Sequence, residues 1–259
     1  MFRVLPPFGG DPRATAEIVN GLMNGKSNNT GTVTLATGGA TSTTFYDARI
    51  SPESKIILIP FSANAFNDKI PYGAFQDSTD QTAASTTAAY AVTYNTTDYS
   101  NGVTVSNSSR LNVTSPGIYD IQFSFQFANT DTQIKDIDIW FRKNGTDIAG
   151  SNSRFSIPNS HGGTNGHLIA SLNYFIELAA NDYIQIMWAT TSTAVTLEQI
   201  PAQTSPTRPA TPSAIVTMTY VSMASIANVY VSSQAQGSAV ITHFANSTAD
   251  KTFAYVVVG

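Results

Sequence analysis

Three histidines and a short run of carboxylates are the side chains in this sequence whose types and spacing could do chemistry. His161 and His167 stand in "NSHGGTNGH", a glycine-rich stretch that could turn both imidazoles toward one zinc ion, while His243 is remote from them. No third ligand follows at a zinc-like spacing, so the stretch reads as a surface loop. Asp136 and Asp138 alternate, with Asp131 and Asp147 nearby. That pattern suits either a hard cation such as calcium or a solvated strand face with Arg142 as counter-charge, and the second reading is preferred. No GxSxG, HExxH, phosphate-binding loop or dinucleotide fingerprint occurs. Two acids far apart in the chain can meet in space as they do in glycosidases, yet nothing singles out such a pair. The expectation is a non-enzymatic protein with no metal and no cofactor.

Composition narrows the partners. Charged residues make up 12% of the 259 residues, about half the usual share, and the net charge is −4 with no cysteine. The pI near 5.2 and the scattered Lys and Arg leave no basic stripe for nucleic acid. A neutral surface of hydroxyls and amides suits repeated lateral contacts, because such groups pair without desolvating charges. No apolar run approaches the ~18 residues of a membrane span, and "MFRVLPPFGGDPR" lacks the apolar core of a secretory leader, so the expectation is cytoplasmic synthesis without membrane insertion. Sequons at Asn28, Asn95, Asn107, Asn112, Asn144 and Asn246 read as chance products of abundant Asn, Ser and Thr.

The elements that would position these groups are almost all strands. One helix is predicted over about residues 11–24, with Asp11 as cap, Pro12 in the first turn, an apolar face of Ile18, Val19, Leu22 and Met23, and a stop at Asn24-Gly25. It suits either packing on a sheet or a contact between subunits. "GTVTLA", "STTFYDARI" and the continuous apolar run "KIILIPF" follow, the last reading as a buried strand. Asn64 to Thr87 is polar or small and reads as a loop or a loosely held edge. "GIYDIQFSFQFANT" is the strongest strand, with Tyr119, Ile121, Phe123, Phe125 and Phe127 on its buried face. "DIDIWFRKNGTDI" and "SLNYFIELAANDYIQIMWAT" add strands and turns, the Pro-rich Ile200 to Ser213 reads as irregular, and "AIVTMTYVS" closes the series. At the end, "QGSAVITHFANSTADKTFAYVVVG" reads as a hairpin. Short strands separated by turns, without helices between them, indicate an antiparallel sandwich.

Two family resemblances cover nearly the whole chain. Pro116-Gly117-Ile118-Tyr119, Arg142-Lys143-Asn144-Gly145 and Asn181-Asp182 stand where the jelly roll of the tumour necrosis factor and complement globular-head superfamily has its Pro-Gly-x-Tyr, Arg-x-Asn-Gly and Gly-Asp signatures; Asn181 replaces the usual glycine. The flanks, "EIVNGLMNGKSNNTGTVTLATGGATSTTFYDARISPESKIILIPFSANA" and "YVSSQAQGSAVITHFANSTADKTFAYVVVG", resemble two halves of a small β domain of tailed-bacteriophage proteins. The resulting fold class is all-β: a jelly-roll sandwich, residues 67–222, inserted into a small antiparallel base domain made of residues 1–66 and 223–259 with one short N-terminal helix.

The resemblances imply a homotrimeric virion structural protein, a tail or head fibre or knob whose jelly roll projects from a base bound to other capsid or tail proteins. Host surface glycan is its expected ligand. The alternatives are a capsid decoration or cement protein that binds no host, and a free lectin-like module. Trp140 and Trp188 are candidate subunit contacts or ligand platforms, with subunit contact preferred, and Ile18 and Leu22 are candidate trimer contacts. The loops at His161 to Asn165 and Thr204 to Thr211, including Arg208, are candidate host contacts.

Overall fold

The computed structural model describes residues 11–23, 29–66, 70–221 and 229–258. The chain divides into two compact units, Met1–Asp68 with Ala227–Gly259, and Lys69–Ile226. The expected helix stop at Asn24-Gly25 and the two expected connectors, after Asn67 and around Met223 to Asn228, lie outside the described residues.

In the first unit, α1 (Pro12–Met23) starts where the sequence places it: Asp11 accepts the Arg13 amide on its side chain at 3.0 Å and the Thr15 amide on its carbonyl at 3.1 Å. Then come β1 (Thr30–Thr34), β2 (Ala40–Tyr46), β3 (Lys55–Pro60) and the short α2 (Ala63–Phe66); the chain returns after the insert as β20 (Val229–Ala235), β21 (Ser238–Asn246) and β22 (Thr252–Val258). These strands form two three-stranded antiparallel sheets, ordered β1-β22-β3 and β2-β21-β20. Val33, Leu35, Phe45, Ile50, Ile241, Phe253, Tyr255 and Val257 fill the space between them.

The terminal stretch is therefore not a hairpin. β21 and β22 lie in different sheets, and Thr252 to Val258 pairs with Thr30–Thr34 on one side and Lys55–Pro60 on the other. The sequence pattern of two apolar runs around a polar turn is the same for a hairpin and for an arch between facing sheets. The decision is made by Asn246, which is fully buried and brings its amide within reach of the carbonyls of Leu35 (3.3 Å), Ala36 (3.1 Å) and Thr248 (2.8 Å) where the chain crosses over. His243 is also structural. Its Nδ1–H donates to the Phe244 carbonyl at 2.7 Å, so Nε2 accepts the Thr43 hydroxyl at 2.9 Å, and that hydroxyl oxygen in turn accepts the Ala36 amide.

The second unit is a jelly-roll sandwich. Its strands are β4 (Tyr72–Asp77), β5 (Gln81–Thr82), β6 (Tyr90–Ala91), β7 (Thr96–Asn101), β8 (Val103–Ser106), β9 (Arg110–Val113), β10 (Gly117–Asn129) and β11 (Lys135–Lys143). They continue with β12 (Thr146–Asp147), β13 (Ser153–Ile157), β14 (Gly166–Leu178), β15 (Tyr183–Thr190), β16 (Val195–Leu197), β17 (Gln203–Thr204), β18 (Thr207–Arg208) and β19 (Ala214–Val221). One sheet runs β14-β10-β19-β4-β7, with β16 and β5 continuing beside the far end of β10. The other is centred on β11, β15 and β9, flanked by β12, β13, β6 and β8. The alternation in β10 is as expected: Tyr119, Ile121, Phe123, Phe125 and Phe127 meet Ile137, Ile139, Phe141, Ile184 and Ile186 of the facing sheet.

Two expectations are corrected here. The segment read as a loop, Asn64 to Thr87, contains β4, an interior strand between β19 and β7 whose Phe75 is fully buried. Gly73 and Asp77 occupy its other inward positions, so its apolar alternation is reduced to one residue. Conversely, "KIILIPF" is not buried on both faces: β3 pairs with β22 only, among the described residues, and turns only Ile56 and Leu58 inward.

Candidate interaction surfaces

The three sequence motifs of the insert are structural locks. Gly117 has φ of +150°, and a Cβ there would overlap the Tyr220 ring. Tyr220 packs edge-on to Tyr119 at 5.4 Å, and the buried Tyr119 hydroxyl donates to the Ser115 carbonyl at 2.7 Å. Asn144 and Gly145 take positive φ in a two-residue turn, and the Asn144 side chain ties this turn to the next hairpin, donating to Asp182 at 2.7 Å and accepting the Tyr183 amide at 2.9 Å. Lys143 closes the same corner through Asp182 Oδ2 at 2.9 Å and the Glu177 carbonyl at 3.0 Å. A shallow hollow of about 470 Å³ lies here, lined by Pro116, Gly117, Lys143 and Glu177 to Ala179. The Lys143 ammonium in its lining is engaged by those two bonds.

The outer faces of the two sheets differ in chemistry. In the centre of the first, β14 presents Ser171, Asn173 and Phe175, β10 presents Asp120, Gln122 and Ser124, and β19 presents Ile215, Thr217 and Thr219. Asp120 is the only charge among these nine, and it accepts Asn173 at 2.6 Å and Gln122 at 3.0 Å. Ile169, Phe175 and Ile215 are exposed on this face. The second sheet carries ion pairs instead: Arg154 with Asp138 at 2.8 Å, and Arg142 with Asp147 at 2.6 Å, where the Trp140 indole N–H also donates to Asp147 at 2.8 Å. The hydrogen bonds from Arg142 and then Trp140 hold the Asp147 carboxyl below its ordinary range. Arg110 stacks on the Tyr183 ring at 4.4 Å.

The candidate residues fall in separate places. Trp140 is half-buried on that outer face. Trp188 is not a surface contact: it is 1% exposed, packed between Phe127 at 5.6 Å and Tyr90 at 5.7 Å. Its register explains this, because it pairs with Ile139 and shares the inward face of β15 with Ile184 and Ile186. His161 and Asn165 occupy one turn, in which His161 and Thr164 exchange backbone bonds at 3.0 and 2.9 Å; His161 is exposed and Asn165 half-buried. Arg208 is exposed in the β17–β18 hairpin, donating to Gln203 at 2.9 Å and the Pro201 carbonyl at 3.2 Å. Ile18 is half-buried and Leu22 exposed on α1.

His167 bonds to Glu198 at 2.8 Å. Asp131 pairs with Lys135 at 3.0 Å and Asp136 accepts the Ser156 hydroxyl at 2.6 Å, so the alternating carboxylates point to different partners. Among the described residues no group of three or more His, Asp or Glu is placed to hold a metal. Sequence reasoning missed the exposed outer residues Ile169, Phe175 and Ile215, which were hidden by the same alternation that marked the core.

No protein-family model and no curated protein matches the chain. Among solved structures, murine APRIL in a crystal structure at pH 5.0 is similar over 59% of this chain and 100% of its own, at 9% identity and a TM-score of 0.40. A likeness at that level carries no statement about function.

Proposed function

We propose that the chain is a non-enzymatic structural protein of a tailed-bacteriophage virion, a homotrimeric fibre or knob on tail or head. In this reading the base unit attaches to capsid or tail proteins and the jelly roll meets host surface glycan. The observation that carries the reading is the centre of the outer face of β14, β10 and β19, where hydroxyls, amides and a few apolar side chains surround one already bonded carboxylate, Asp120, with Glu177 lying at the end of the face. Such a face can be covered by another copy without stripping water from charges. The exposed turns at His161 to Thr164 and Gln203 to Arg208 offer the small polar groups that hydrogen-bond sugar hydroxyls. The flanking sequences add support through their resemblance to phage β-domain halves.

The test is to find the protein on purified particles by cryo-electron microscopy and to assay binding of host polysaccharide. A few trimers per particle, with glycan binding lost on exchanging residues 161–165 or Arg208→Ala, is the expected result. Many trimers spread over the capsid without glycan binding would favour the decoration reading. Absence from particles would overturn both.

A further inference from the structure

Among the described residues, the base unit leaves two apolar surfaces uncovered. On α1, Val19 is 46%, Leu22 60% and Met23 81% exposed, on the side that carries Ile18. On the sheet β1-β22-β3, the outer face of β3 carries Ile57 and Ile59, 53% and 51% exposed, followed by Phe61 at 69%. Ile57 pairs with Val256 and Ile59 with Ala254, and Val258 is also exposed, so the patch runs across two strands. Lys55 is the only charged residue among the outward positions of these three strands.

We propose that α1 of one copy lies across the outer face of β3 and β22 of a second copy, and that the contact closes into a ring. The inference rests on the homo-oligomeric reading above. Both surfaces are built from exposed aliphatic side chains. A twelve-residue amphipathic helix is marginal in water until its apolar face is covered. An apolar, one-sided sheet face next to an edge strand is equally in need of a cover. Chain length permits the exchange: six residues, 24–29, join Met23 to Thr30 and reach at most roughly 25 Å. Thr30 is in register with Val256 and Ile57 in the sheet, so the tether begins beside the patch.

Area decides for a ring over an open pair. One helix on one sheet face involves only a handful of side chains a side, well under the roughly 800 Å² per partner of a standard stable interface. A pair joined by one such contact would also leave one helix and one sheet face bare. The contact joins two different surfaces, so it is satisfied in every copy only when the rotation closes; two copies exchanging helices would close it as well as three, and the count of three is taken from the homotrimeric reading above.

The absence of cysteine gives a clean test. The full chain carrying both Leu22→Cys and Ile59→Cys is oxidised at micromolar concentration, run on a non-reducing gel, and compared with each single variant. Cross-links joining copies, ending at three chains, are expected from the double variant, whereas single variants yield no product beyond two. A cross-link within one chain would show that α1 covers its own sheet and overturns the proposal. No cross-link in a protein that light scattering finds trimeric overturns the helix contact while leaving the trimer standing. A double variant that stops at two chains overturns the ring of three in favour of a two-copy helix exchange, and a monomer overturns both. Leu22→Glu, at an exposed position, is the second variant, expected to weaken association at least tenfold with the far-ultraviolet dichroism unchanged.

Discussion

The insert and the base unit differ in the setting of their exposed apolar residues. In the insert, β10 turns Tyr119, Ile121, Phe123, Phe125 and Phe127 inward, the exposed Ile169, Phe175 and Ile215 stand apart among hydroxyls and amides on one outer face, and the corner motifs bond to each other or to nearby backbone. In the base, two thin sheets enclose a smaller cluster, while Leu22, Met23, Ile57, Ile59 and Phe61 remain outside. The difference separates two tasks. In the reading proposed above, the insert offers a mostly polar face and loops, whereas the base offers a nearly uncharged apolar patch to a second copy.

The comparison can be broken most forcefully at Trp188. If this residue packs the insert core, Trp188→Ala lowers unfolding stability by about 3–5 kcal/mol, read from denaturant midpoints. A loss of assembly without loss of stability would return it to the surface. Gly117→Ala comes next, at about 1–3 kcal/mol, because the φ of +150° and the Tyr220 ring both oppose a side chain; Tyr220→Ala in the same background should recover only the steric part. In the base, Asn246→Ala should cost about 1–3 kcal/mol by leaving buried carbonyls unpaired at the crossover.

A smaller effect depends on pH. The side-chain hydrogen bond from Arg49, opposed by burial and aided by the Arg49 amide and the Tyr255 hydroxyl at 2.8 Å, holds the Asp47 carboxyl well below the usual carboxylate range. Its pKa is lowered on folding, so the stabilisation is full above the unfolded value near 3.8 and fades as the pH falls below it. Asp47→Asn should therefore be less stable than the parent at pH 7, with the difference narrowing steadily as the pH falls from about 4 to about 2. A constant difference across that range would remove the ion pair from the account. The smallest effect is at Tyr94, whose buried hydroxyl has no partner among the described residues and whose pKa burial pushes up. Tyr94→Phe is expected to be neutral or to raise the unfolding midpoint slightly.

What the sequence made legible was whatever repeats with period two or sits in a turn. The β10 alternation, the Asn144-Gly145 turn and the Asp11 cap all follow from local chemistry. Partner choice is not local. β21 and β22 read as one hairpin because nothing in their own residues says that they face each other from different sheets; only Asn246, whose bonds reach back more than 200 residues, marks the crossing. β4 was lost because its inward positions hold Gly73, Phe75 and Asp77, the last held by Thr79, Thr93 and Asn95. The candidate surface was partly legible. Loop residues such as His161 and Arg208 are exposed as expected, but an aromatic on a strand cannot be assigned to a face without its register, and Trp188 shows the consequence.

The most direct test of the division between a mostly polar insert face and an apolar base patch is the mass of the full chain in solution by light scattering at micromolar concentration. The account predicts three times the 27.6 kDa of one chain, reduced to a single chain by Ile59→Glu and left at three by Arg208→Ala. A parent protein of 27.6 kDa, with α1 and the β3 face both exposed to solvent, would contradict it.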